Sequence, residues 1–76
     1  MDEKTQTPIR LLDVVVLLED VPRFRLHRDQ VGTVVETLGP DVFEVEFSDN
    51  DGWMYASLAL SASQLMVLHH QPVRIG

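Results

Sequence analysis

The stretch Val42-Phe43-Glu44-Val45-Glu46-Phe47-Ser48-Asp49-Asn50-Asp51-Gly52-Trp53-Met54-Tyr55-Ala56-Ser57-Leu58 decides the fold. Its first part alternates apolar and acidic residues, the two-residue period of a strand with one face buried. Phe43, Val45 and Phe47 read as inward, Glu44 and Glu46 as outward. A slip of one residue would bury both carboxylates, so the register is strongly specified. Asn50-Asp51-Gly52 supplies residues suited to positive φ, the chemistry of a hairpin turn. Beyond the turn, Met54, Ala56, Leu58 and Leu60 share one face of a further strand, and Trp53, Tyr55 and Ser57 the other.

On the N-terminal side, Val31 to Leu38 reads as another strand, with Gly32 marking a bulge or a close backbone approach. Gly39-Pro40-Asp41 turns it into the hairpin. Asp13 to Leu18 is short and rich in β-branched residues, so it reads as a first strand, partly buried on both faces or bending around a barrel corner, with a short helix as the competing reading. Between these strands, Glu19 to Gln30 contains Pro22, which cannot donate to a ladder. Phe24 and Leu26 alternate with Arg23, Arg25 and His27, which predicts a loop dipping its apolar pair toward the core with its arginines in water. Asp29 tolerates left-handed geometry better than most residues. On the C-terminal side, Ser61 to Gln64 predicts a 3-10 turn and Leu65 to Leu68 a closing strand. The pattern predicts an all-β fold, a small five-stranded SH3-like (KOW-like) barrel over residues 10–69. Residues 1–9 read as a flexible leader and 70–76 as a C-terminal tail. Closure of a barrel removes most exposed strand edges.

A chain of 76 residues forms one domain at most. A domain of this size buries roughly 60% of its unfolded surface. The absence of cysteine excludes disulfides and thiolate metal sites and suits a cytoplasmic protein. No run approaches the ~18 apolar residues that span a bilayer, so no membrane association is expected. Net charge is −6, and three of the six basic residues, Arg23, Arg25 and Arg28, fall in one short segment. Between Asp29 and Val73 there is no Lys or Arg, while Glu36, Asp41, Glu44, Glu46, Asp49 and Asp51 are acidic. Such a surface repels phosphate backbones over most of its area, which disfavours nucleic acid as a partner.

Motifs of chemistry are wanting. In an EF-hand loop the Asp stands five residues before the Gly and the Glu six after it; counted from Gly52, those positions hold Phe47 and Leu58. His69 and His70 are adjacent, so in a strand they point to opposite faces and chelate poorly. Glu44 and Glu46 share a strand face, but acid–base catalysis needs a cleft to set two carboxylates apart. Ser57, Ser61 and Ser63 have no nearby histidine or glycine elbow in sequence, and no glycine loop cradles phosphate. No catalytic residue, metal or cofactor is expected.

The pattern Leu12-Asp13-Val14-Val15-Val16-Leu17, then Asp20-Val21-Pro22, then Val31-Gly32-Thr33-Val34-Val35-Glu36, then Phe43-Glu44-Val45-Glu46-Phe47 resembles the domain-of-unknown-function 4926 family of small bacterial proteins. The resemblance continues through Asp49, Gly52 and Ala56 to Gln64-Leu65. Members usually carry a glycine just before the Val-Gly-Thr-Val segment, where this chain has Asp29. The resemblance implies an SH3-like fold and a role as a small stand-alone partner protein, and it transfers no catalytic residue.

The remaining signal is for binding. Trp53 and Tyr55 on an outer face can anchor a partner, or else cover a gap under the Arg23–Arg28 loop and stack with its guanidinium groups. The expected contact surface is Arg23, Phe24, Arg25 and Arg28 with Trp53 and Tyr55, beside the acidic wall of Glu44 and Glu46. The function expected is a non-enzymatic protein-interaction module, a small accessory or immunity-type protein, monomeric or weakly dimeric, whose partner is another protein. A KOW-like RNA-binding module and a small non-catalytic subunit of an enzyme complex are the alternatives.

Overall fold

The structure, a computed structural model, describes residues 8–49, 51 and 53–68, the side chains of Met54 and Tyr55 aside. The tail, His69-His70, and all of the leader but Pro8 and Ile9 lie outside the described residues. Five strands make one antiparallel sheet: β1 (Val14–Leu17), β2 (Val31–Gly39), β3 (Val42–Ser48), β4 (Met54–Ser61) and β5 (Leu65–Val67). Their order across the sheet is β4-β3-β2-β1-β5. One 3-10 turn, Pro22–Phe24, interrupts the β1–β2 connection, and a second, Ala62–Gln64, joins β4 to β5.

The all-β, five-stranded antiparallel sheet and the 3-10 turn before the last strand are as the sequence predicts. The SH3-like, KOW-like barrel is not: the sheet is open, with β4 and β5 as its two edges. Among the described residues β4 is laddered only to β3, and β5 only to β1. Closure would need a ladder between those edges. With only three residues, β5 has few main-chain groups to offer, and the neighbouring groups are engaged elsewhere. The Leu65 N–H donates to the Ala62 carbonyl within the 3-10 turn. The Ala62 N–H donates to Asp41 O at 2.8 Å, and the Leu18 N–H to Gln64 O at 2.9 Å. The turn is held by a capping box, in which the Gln64 carboxamide oxygen accepts from the Ser61 N–H at 2.9 Å.

The alternation in β3 sets the buried face. Phe43, Val45 and Phe47 are buried, and across the ladder they meet Leu60, Leu58 and Ala56. Val34 of β2 stands opposite Val45. Val15 and Leu17 of β1 and Leu65 of β5 extend the same cluster. Leu26, from the β1–β2 connection, is fully buried in it, and Ile9, Val21 and Ala62 pack against it. Gly32 is buried opposite Phe47, and a Cβ there would lie 2.8 Å from the Phe47 ring and 2.9 Å from the Glu46 carbonyl. The close approach expected at this glycine is therefore present. The bulges fall elsewhere: Val35 and Leu38 are the unpaired extra residues of β2, and each resets the alternation behind it.

Candidate functional site

The β1–β2 connection is an ordered miniature hairpin. Val21 and Leu26 exchange main-chain bonds at 2.9 and 3.2 Å around the 3-10 turn that Pro22 opens. Pro suits the first position of such a turn, since its missing N–H is not needed there. Arg25 then takes a left-handed conformation, φ 57°, which reverses the chain. The Arg28 N–H donates to Asp20 Oδ1 at 2.7 Å, and the Asp29 N–H to Leu17 O at 2.8 Å. Leu26 dips into the core as the sequence predicts, but Phe24 does not; it is exposed at the tip, with the Arg23 guanidinium 6.0 Å from its ring centre. The reason is period: three residues per turn replace the alternation of a strand, so Phe24 and Leu26 do not share a face.

The β3–β4 turn is built by one side chain. Asp49 Oδ1 accepts from the Asp51 N–H at 2.9 Å and the Trp53 N–H at 3.0 Å, an Asx arrangement that stands in for main-chain turn bonds. The Asp49 N–H closes the turn on Trp53 O at 2.9 Å. Trp53 is 74% exposed, and among the described residues no guanidinium stacks on it. Tyr55 falls in a bulge: Phe47 pairs with Ala56 and Ser48 with Met54, leaving Tyr55 unopposed. The simple alternation predicted from Trp53 through Ala56 is thus broken at Tyr55, whose side chain lies outside the description.

Glu44 and Glu46 stand half-buried on the face opposite the core. The Ser57 hydroxyl donates to Glu44 Oε2 at 2.7 Å. Glu36 lies directly opposite Glu44 across the β2–β3 ladder. This acidic pair was not foreseeable from the sequence, because nothing in Val34-Val35-Glu36 marks the bulge that creates it.

The strand pairings bring much of this to one end of the sheet. Val16 pairs with Val31, Gly32 with Phe47, and Ser48 with Met54. The β1–β2 connection with Arg23, Phe24, Arg25 and Arg28 and the β3–β4 turn with Trp53 therefore lie at the same end, with Glu46 next to it and Glu44 further in. No ion pair or ring contact joins the arginines to Trp53, Glu44 or Glu46 among the described residues. Nor does any group of three or more His, Asp or Glu side chains there suit a metal ion.

No helix of the described residues is long and apolar enough to cross a membrane. No curated protein and no solved structure matches the chain. One family model does, over residues 11–67, well beyond half of the length: the domain of unknown function (DUF4926). Across β1 to β5, with the connection that carries the arginines and the turn that carries Trp53, the chain belongs to that family.

Proposed function

We propose that this protein is a non-enzymatic protein-interaction module that grips a protein partner with the end of the sheet carrying Trp53 and the Arg23–Arg28 connection. The observation that supports this most is a large aromatic held out in water by a side-chain-built turn. An aromatic anchor on an ordered frame loses little freedom on binding and buries much apolar area, which is the profile of an interface hot spot. The arginines sit on a second ordered frame at the same end, and acidic Glu46 and Glu44 adjoin it, so charge would orient the partner. Such an accessory or immunity-type module needs no disulfide and suits the cytoplasm.

The test is affinity purification from native cells with the wild-type chain and Trp53→Ala. Trp53→Ala is expected to lose the co-purifying protein while shifting the melting temperature little, since a surface substitution stays within about 0.5 kcal/mol. A variant that melts far lower yet still captures the partner would show Trp53 to be structural.

A further inference from the structure

We propose that the free edge of β4 takes up an extended, basic segment of a partner protein as a sixth strand. The register says which main-chain groups are available. The Ala62 N–H bonds to Asp41 O, and Val42 pairs with Ser61. In an antiparallel ladder bonded pairs alternate with non-bonded ones. Leu60, Leu58 and Ala56 thus turn their N–H and C=O groups toward β3, and Ala59 and Ser57 turn theirs outward. Among the described residues these outward groups have no partner strand. Free edges are ordinarily blunted by Lys, Pro, inward charge or shortness. β4 runs for eight residues, Met-Tyr-Ala-Ser-Leu-Ala-Leu-Ser, without a charge or a proline.

The side chains specify the occupant. Across the outer face, Ala59, Glu44 and Glu36 form one row, and Ser57, Glu46 and Thr33 the next. A strand added to β4 continues both rows. Its residues opposite Ala59 and Ser57 would stand about 10 Å, two strand spacings, from the β3 backbone. Ala59 and Ser57 are small and exposed, so a long Lys or Arg side chain can lie across them and reach Glu44 and Glu46. No Lys or Arg occurs on β2, β3 or β4 to neutralise these carboxylates. Like charges placed directly opposite, as Glu36 and Glu44 are, disfavour the sheet by themselves, and basic residues two apart on the incoming strand would relieve that. A second copy of this chain is a poorer occupant, since its own β4 brings no cation and its β3 brings the same carboxylates.

The experiment is an amide proton–nitrogen titration of the full chain with a capped peptide alternating lysine and valine, and with its glutamate-for-lysine counterpart. Lysine peptide is expected to shift the amides of Ser57 and Ala59 most, with affinity falling as salt rises. Ala59→Pro removes one outward donor and no ladder bond to β3, and should abolish the binding. Glu44→Gln with Glu46→Gln keeps the edge intact and should weaken binding at least roughly tenfold. Equal binding of the glutamate peptide, shifts mapping away from β4, indifference to either variant, or no binding would overturn the proposal. Concentration-dependent shifts at the same amides without peptide would overturn it too, by making a second copy the occupant. The readout uses no captured partner, so it is independent of the outcome at Trp53.

Discussion

Gly32 has little freedom to change. A methyl group there would press on the Phe47 ring and Val45 at 2.8 Å and on the Glu46 carbonyl at 2.9 Å. The carbonyl belongs to the ladder and cannot yield without moving β3. Gly32→Ala should therefore cost about 1–3 kcal/mol, the range for overpacking, read as a lower urea midpoint with an unchanged slope. Leu12 and Asp29 present the reverse case. Both hold left-handed backbone, φ 71° and 77°. Leu12 sits third in a turn that the Asp13 N–H closes on Arg10 O at 3.0 Å, and it is 70% exposed. A left-handed conformation costs a non-glycine residue about 1–2 kcal/mol, and Asp bears it better than Leu. Leu12→Gly should accordingly raise the urea midpoint, and more than Asp29→Gly does. Asp29 was recognisable in the sequence as a residue tolerant of such a turn; Leu12 carried no such mark, because leucine is the wrong residue for that position by local propensity.

At the scale of elements, the hairpin β3–β4 depends on Asp49. Asp49→Ala removes the acceptor for two main-chain N–H groups and should destabilise the fold by about 1–3 kcal/mol. Asp49→Asn keeps an oxygen in place and should recover most of that loss, as a comparison of melting curves would show. If both variants melt alike, the side chain does not build the turn. Strands and turns of this kind were legible because their causes are local: Val42 to Phe47 carries its own period, and Asp49 to Gly52 its own turn chemistry. Bulges were not. Val35, Leu38 and Tyr55 are extra residues only in relation to the facing strand, and a partner's register leaves no trace in one strand's own residues. Hence the pairing of Glu36 with Glu44 and the break at Tyr55 emerged only with the ladder. Phe24 was misplaced for a related reason: a strand period was extended through residues that Pro22 had turned into a 3-10 coil.

For the molecule as a whole, the core is one sheet face closed over by Leu26, with Ile9, Val21 and Ala62 packed against it. Phe47 is its largest fully buried side chain. Phe47→Ala should cost about 3–5 kcal/mol, a large share of the 5–15 kcal/mol or so that holds a domain together. Far-ultraviolet circular dichroism in rising urea should show most of the cooperative transition gone, and a variant as stable as the parent would place Phe47 outside the core. The burial of Phe43, Val45, Phe47, Leu58 and Leu60 followed from the alternation in single strands. Whether the first and last strands of a sheet join is a long-range matter, which periodicity cannot report, and the barrel expected from five such strands proved to be an open sheet. The placement of β5 beside β1 has a consequence for biosynthesis. β1 waits for a strand far along the chain, so until the residues up to Val67 have been synthesised the β1 edge is open to everything nearby. Contacts that span so much of a chain form slowly, so the ladder between β1 and β5 is the slow step in completing this sheet.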